Sequence, residues 1–311
     1  MKEMSFSQCF SAFFETYRKS VEKQTENAAL GIFLNHINGE IGPLNMHQIK
    51  VSNLQPIFKK LENEGKTSTL RTTHQLICKV FDYGIVYETC CEFNPAQPLS
   101  RFLAKHVEKN HPFLTEEEMP LFFNEVKKHG KLSTPAKVAL LLIIYTAVRA
   151  NEAVQAKWDE FDLDKQIWTI HAERMKKRLS HTVPLSNQIV NILKKWKNKA
   201  PVSDYVFPAL NKSNKNPYMQ SWCLSRAVSH TLYYQKQNIH GFRHRFSTTC
   251  YESNLWRDDA IEMCLAHRIG GVKGVYNKAK YIEERKRIMQ WYADKVQIWV
   301  KGFITEQELI A

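Results

Sequence analysis

No run of about 18 apolar residues, the length a membrane-spanning helix needs, occurs in this sequence; the longest, Val138 to Val148, has the length of a buried core helix. The opening MKEMSFSQCFSAFF has an acidic residue among its first charges and no small-residue cleavage pattern, so it does not read as a signal peptide. No membrane partner is expected, and the cytoplasm is the expected location. Cysteine is sparse and odd in number, seven in all, and the adjacent pair Cys90 and Cys91 is a poor disulfide framework, which points to reduced thiols. Cys264 and His267 have ligand-like spacing, but no second Cys/His pair completes a tetrahedral metal site. His240 and His244 stand four apart without the glutamate of a zinc-protease helix, Gly241 and Phe242 filling the next positions. A Walker glycine loop, a G-x-S-x-G elbow, a paired acidic metal box, a repeat of 20 to 50 residues and low-complexity sequence are all lacking. The familiar nucleophile and metal templates therefore fail, and no cofactor or metal is expected.

What the sequence does have is positive charge, unevenly placed. The net charge is +13, a balance that suits polyanions such as nucleic acid. Residues 1 to 112 hold 13 Lys+Arg against 11 Asp+Glu, whereas residues 113 to 311 hold 31 against 20. The second part carries the field.

Helical spacing recurs along the first part: Phe6, Phe10, Phe13, Phe14 and Tyr17, then Leu30, Phe33, Leu34 and Ile37, then a helix near Val51 to Glu64. A fourth helix, from Thr67 or Ser68 to Glu88, repeats Leu70, Leu76, Ile77, Val80, Phe81 and Val86 on its apolar side. Arg71, His74, Gln75 and Lys79 fall mostly off that side, as a solvated face or as one lying against DNA. Asn94 to Pro98 breaks the pattern, and a charged connector ends at Pro112. Beyond it, Thr115 and Glu118 form a capping-box pattern, Thr134 to Thr146 reads as a buried helix, and Arg149 stands in the turn after it. Between Gln166 and Ser186 the period changes to that of a β-hairpin with a cationic tip, ERMKKR. Helices resume near Asn187 to Lys197, Tyr218 to Tyr234, Gly241 to Ser253, Arg257 to Leu265 and Ile282 to Trp299. The class is mainly α, formally α+β, with one small antiparallel sheet.

His240 and Arg243 form H-x-x-R, a spacing that 12 His and 13 Arg would produce by chance about 0.5 times, and His171 to Arg174 repeats it. Placement is more informative. A guanidinium near the positive end of a helix dipole is unfavourable unless an anion joins it, and helix N-termini favour phosphate. The ordered set is Arg149 in a turn, Lys176 at a hairpin tip, His240 and Arg243 at a helix start, His267 near a helix end, and Tyr276 nine residues further on.

In that order the sequence resembles the tyrosine recombinase, or phage integrase, family over nearly its whole length. TAVRANEAVQAKWDEFDLD is similar to the family's first arginine box, with Glu152 as the acid three residues after the arginine. WTIHAERMKKRLSHTVPLS resembles its lysine hairpin, particularly in the branch associated with satellite phages and genomic islands. HGFRHRFSTTC matches the H-x-x-R box, and LAHRIGGVKGVYNKAKYIEERKRIMQWYADKV the closing box, in which the nucleophilic tyrosine lies nine residues after the second histidine, at Tyr276.

The resemblance implies an N-terminal four-helix core-binding domain of the SAM-like type over residues 1–95, a linker over 96–112 and a catalytic domain with its terminal helix over 113–311. It implies a site-specific recombinase that cleaves and rejoins DNA through a 3′-phosphotyrosine on Tyr276, without metal or ATP. Arg149 and Arg243 would bind the phosphate, Lys176 would protonate the leaving oxygen, His240 would assist proton transfer at the tyrosine, His267 would hydrogen-bond the phosphate, and Glu152 would support the architecture. Lys177 is the alternative to Lys176, and Tyr281 to Tyr276. Arg71, Gln75, Lys79 and Arg245 are candidate DNA contacts, with His244 a phosphate contact or plain surface charge. The implied partners are duplex recombination sites, accessory DNA-bending or directionality proteins, and further copies of the chain, a monomer in solution assembling to a tetramer on two sites. The apolar terminal helix would cover its own domain or dock onto a neighbour. Two departures stand out: Ala150-Asn151 replaces the branch's common Pro-Gly, and the first helix opens almost at Met1, leaving no room for the arm-binding domain of many integrases. Action on simple core sites, or a trimmed chain, is the expectation. A DNA-binding protein of this fold without reactivity and a type IB topoisomerase are the rival functions.

Overall fold

The protein is described here by a computed structural model covering residues 2–105, 112–129, 131–175, 177–209, 216–267 and 279–310. Two compact units divide the chain, Met1–Lys109 and Asn110–Ala311, each with its own apolar core.

In the first unit, helix α1 (Phe6–Ser20) starts at a reciprocal cap: Ser5 Oγ accepts from Gln8 N at 3.2 Å while Gln8 Oε1 accepts from Ser5 N at 2.9 Å. Phe6, Phe10 and Phe13 are buried, and Phe10 stacks on Phe33 with ring centroids 3.7 Å apart. Helix α2 (Lys23–Ile32) runs through a π turn (Phe33–Ile37) into α3 (Asn38–Ile41). That turn corrects the expected apolar stripe. One extra residue per turn carries Ile37 rather than Leu34 to the core, and Leu34 stays 57% exposed. Helices α4 (Val51–Asn63) and α5 (Thr67–Tyr83) complete the unit, and α5 also ends in a π turn (Gly84–Glu88), which leaves Val86 exposed instead of apolar-side. A Cβ at Gly84 would meet Cys90 Sγ and Met46 Cε at 3.0 Å, a tight approach that glycine leaves open. His74 departs from the expected polar face: it is buried, its Nε2 2.9 Å from the carbonyl of Ala96.

The second unit is built around α7 (Thr134–Thr146), buried from Val138 to its end, as its uninterrupted apolar run requires. Before it lies α6 (Glu118–His129), which starts three residues later than Thr115, although Glu118 still accepts from Thr115 N at 3.0 Å. After it come α8 (Ala150–Val154) and a three-stranded antiparallel sheet in the order β1 (Phe161–Asp162), β2 (Ile167–Ile170), β3 (His181–Pro184), with Trp168 opposite Val183 and Ile170 opposite His181. The expected hairpin thus gains a short third strand. Helix α9 (Asn187–Lys199) follows, then α10, which spans only Trp222–Ser229. The longer helix expected there is cut at both ends. Tyr218 bridges Pro208 in extended pairing, and the Thr231 hydroxyl takes the Val228 carbonyl at 2.7 Å, closing a turn. Then come α11 (Gly241–Ser253), α12 (Asp258–Cys264), α13 (Ile282–Trp299) and α14 (Glu306–Ile310). Helix α13 covers its own unit: Ile288, Met289, Tyr292, Val296 and Trp299 are buried, and Tyr292 meets Phe246 edge-on at 4.8 Å. No helix among the described residues is long and apolar enough to cross a membrane.

The base of the hairpin is held by a buried ion pair. Glu160, its side chain fully inside, accepts from Trp168 Nε1 at 3.0 Å and from Arg174 Nη1, and Arg174 Nη2 reaches the carbonyl of Glu152. Deleting one partner strands the other charge in low dielectric. Glu160→Ala is expected to lose about 3 kcal/mol of stability, measured by urea denaturation, and the added change Arg174→Met should recover part of that loss.

Candidate active site

Four helix ends supply the site's described residues. Helix α7 stops at Ala147 in the left-handed conformation, φ 51°, with its N–H on the Ile143 carbonyl at 2.8 Å. Two residues later Arg149 precedes α8, and Glu152 grips it twice, accepting from its backbone N at 2.9 Å and from Nη1 at 2.8 Å. Helix α12 stops at Leu265, with Ala266 left-handed at φ 52°. His267 N then bonds the Glu262 carbonyl at 2.9 Å and Ala266 N the Met263 carbonyl at 3.2 Å, a Schellman turn.

Helix α11 opens at His240, with Asn238 Oδ1 accepting from Gly241 N at 2.8 Å. A Cβ at Gly241 would collide with the carbonyl of Pro112, which accounts for the glycine in HGFR. Arg243, one turn in, is 5% exposed. Its Nη1 donates to the Ala147 carbonyl and its Nη2 to the Leu265 carbonyl at 2.8 Å. The guanidinium thereby joins the C-terminal ends of α7 and α12, where helix dipoles favour a cation. Burial, and next the neighbouring Arg149 cation, lower its pKa to about 10, so it keeps its charge at neutral pH.

His240 is exposed, its ring 5.5 Å from that of His244. His267 Nδ1 lies 2.7 Å from Glu262 Oε2, and the Tyr251 hydroxyl donates to Glu262 Oε1 at 2.9 Å. Lys176 and Tyr276 lie outside the described residues. Of their alternatives, Lys177 is exposed, and Tyr281 is half-buried with Arg257 over its ring at 5.9 Å. Arg71, Gln75 and Lys79 share the exposed side of α5, Lys79 lying over the Tyr17 ring at 5.2 Å. Arg245 differs from the expected DNA contact. It is 6% exposed, its Nε bonded to Thr249 Oγ1 at 3.0 Å, its Nη2 3.4 Å from Glu252, its guanidinium over Phe113. Positions 243 and 245 face different sides, and both are inside because α11 is packed nearly all round. Half-buried His244 stacks on Phe113 with centroids 6.0 Å apart.

Sequence reasoning missed His181, Glu262 and Arg285. His181, on β3, is 7% exposed and sits among cations: burial, then Arg285, Arg243 and Arg149, push its pKa down to about 3 against a hydrogen bond to the Cys264 backbone. Its alternation with the buried Val183 was the available signal. Arg285, also buried, donates to the Thr182 carbonyl from α13. Among the described residues no three His, Cys, Asp or Glu side chains converge to hold a metal ion.

A family model for the phage integrase family matches residues 112–282, and one for the phage integrase central domain matches residues 6–101. The chain belongs to the phage integrase family. It is a site-specific tyrosine recombinase of the prophage and satellite-phage branch. Prophage integrase IntS of Escherichia coli K12 is 34% identical over 93% of this chain and 74% of its own, and the integrase of Shigella phage Sf6 is 33% identical over the same shares. The integrase of Enterobacteria phage P4 is 30% identical over 83% of this chain and 62% of its own. Among solved structures, a lambda integrase dimer bound to a COC′ core site has the same fold, with a TM-score of 0.69 at 14% identity over 86% of this chain and 96% of that one. A lambda integrase tetramer bound to a Holliday junction gives 0.68 at 14% identity over 86% and 78%.

His181 makes the recombinase acid-sensitive in a defined window. Because its folded pKa lies below its ordinary 6.5, the unfolded chain takes the proton first as pH falls, and stability is lost from about 6.5 down toward 3. Between pH 7 and pH 5 this amounts to about 2 kcal/mol. His181→Gln is expected to flatten that part of the urea-denaturation profile.

Proposed function

We propose that this integrase cleaves and rejoins duplex DNA at recombination sites with Tyr276 as nucleophile. The tyrosine oxygen bonds to phosphorus, the bond to the 5′-oxygen breaks, and the resulting 3′-phosphotyrosine conserves the energy for rejoining. One observation carries the reading: Arg243 is buried across two helix ends, its guanidinium held by two backbone carbonyls and set next to the Arg149 cation. Two forked guanidiniums suit the non-bridging oxygens of a phosphate whose charge rises in the transition state, a task that other enzymes give to a metal ion. No ATP is needed, because rejoining reverses the first step.

Lys176 donates the proton to the leaving 5′-oxygen, His240 assists proton transfer at Tyr276, and His267 hydrogen-bonds the phosphate. Glu152 holds Arg149 in place. Residues 1–95 form the core-type DNA-binding domain, 96–112 the linker and 113–311 the catalytic domain, with Arg71, Gln75 and Lys79 facing DNA. The lambda complexes on a core site and a Holliday junction support duplex sites as partners and a tetramer as the working assembly; we infer that it forms from monomers in the cytoplasm, on nucleoid DNA.

The test is a nicked suicide duplex carrying the repeats that flank the element encoding the chain. Wild type is expected to accumulate a covalent protein–DNA complex, Tyr276→Phe none, and Arg243→Lys to form it about a hundredfold more slowly, since an ammonium cannot span both carbonyls and the phosphate. A covalent complex with Tyr276→Phe would overturn the assignment.

A further inference from the structure

We infer that Glu262 is a positioning residue for DNA cleavage, the carboxylate that orients the His267 imidazole toward the phosphate. The inference rests on the reading of His267 as the phosphate's hydrogen-bond partner. Glu262 holds His267 from two sides. Its carbonyl accepts from the histidine's backbone N at 2.9 Å, the outer bond of the Schellman turn, and its Oε2 lies 2.7 Å from the ring's Nδ1. The left-handed residue Ala266 reverses the chain so that positions 262 and 267 meet, which ordinary helical spacing would not allow.

The carboxylate is itself fixed. Tyr251, projecting from α11, donates its hydroxyl to Glu262 Oε1 at 2.9 Å, so each carboxylate oxygen has its own partner. With Nδ1 turned to Glu262, Nε2 is the ring nitrogen left to meet DNA, a fixed assignment of the two nitrogens. An imidazolium in this position donates one N–H to Glu262 and the other to the phosphate. The pair then adds no net charge to a pocket already holding Arg149 and Arg243, and Glu262 is among the carboxylates that favour the Arg243 cation. The arrangement parallels Glu152 and Arg149: each acid belongs to the helix beside its cationic partner and grips both backbone and side chain. Glu262 and His267 are both partly exposed, so a purely stabilising ion pair would contribute little here.

A double-mutant cycle on the whole 311-residue chain with the suicide duplex tests this, measuring single-turnover covalent-complex formation, duplex affinity and thermal midpoint. Glu262→Ala is expected to slow cleavage about tenfold while affinity and midpoint stay near wild type. His267→Ala should be slower still, and the double variant no slower than His267→Ala. Glu262→Gln keeps the side-chain volume and should show the same non-additivity with a smaller loss, which also serves if the alanine variant does not fold. If His267→Ala cleaves at the wild-type rate, the reading of His267 itself falls and the inference with it. If His267→Ala is slow but the glutamate changes are silent, or their losses multiply with it, the inference alone is overturned.

Discussion

Everything in the catalytic unit's active centre is referred to one guanidinium. Arg243 leaves water almost completely, and its guanidinium donates to two backbone carbonyls at the C-terminal ends of α7 and α12, while the carboxylates of Glu152 and Glu262 favour its charge through space. Carbonyls at helix ends lack intrahelical donors and carry partial negative charge, so a planar cation with donors on two sides satisfies both needs together. A carboxylate partner would have neutralised the charge. Carbonyls fix the cation without cancelling its charge. The same choice fixes which segments are brought together, because Arg149 follows one helix end and His267 follows the other.

Both helix ends place an alanine in the left-handed region, Ala147 and Ala266. Each such conformation costs a non-glycine residue roughly 1–2 kcal/mol, which persists only where the surroundings over-determine it. Here they do. The Ala147 carbonyl is tied to Arg243, and Ala266 is bracketed by the Leu265 carbonyl on Arg243 and by His267 on Glu262. The strain is spent on direction: the chain leaves each helix toward the pocket instead of continuing along the axis. A second chain of contacts runs outward from Glu152, whose carboxylate holds Arg149 and whose carbonyl holds Arg174, itself paired with Glu160 under the sheet. Arg149 and the base of the hairpin therefore share one glutamate.

Much of this was legible in the sequence. Apolar spacing and cap residues located α1, α4, α5, α7, α11 and α13, and the order of the basic residues pointed to the family. What stayed hidden has physical causes. Periodicity assumes a constant turn, and the two π turns break that assumption, displacing Leu34 and Val86 from the core without changing a residue type. Polar residues read as surface unless a partner is visible, and the partners of His74 and His181 are backbone groups distant in sequence. Arg245 beside Arg243 looked like one more basic surface residue, because sequence does not show that α11 is enclosed on several sides. Glu262 gave no signal, since its contact with His267 depends on a turn that alanine rarely makes.

The division of labour between arginine and lysine follows from the same physics. Arg243, Arg245 and Arg285 are buried and Arg174 nearly so, each anchored by fixed hydrogen bonds, whereas most of the catalytic unit's lysines lie exposed or half-buried. A guanidinium is weakly hydrated and planar, so it can be taken inside at tolerable cost and aimed; an ammonium holds its water and suits the surface. The unit's net charge therefore performs two separate tasks. Surface lysines set a long-range field that draws a polyanion in and weakens with salt. The interior arginines, being desolvated, are screened little, so the interactions they make inside the unit persist at ionic strengths that weaken the field of the surface.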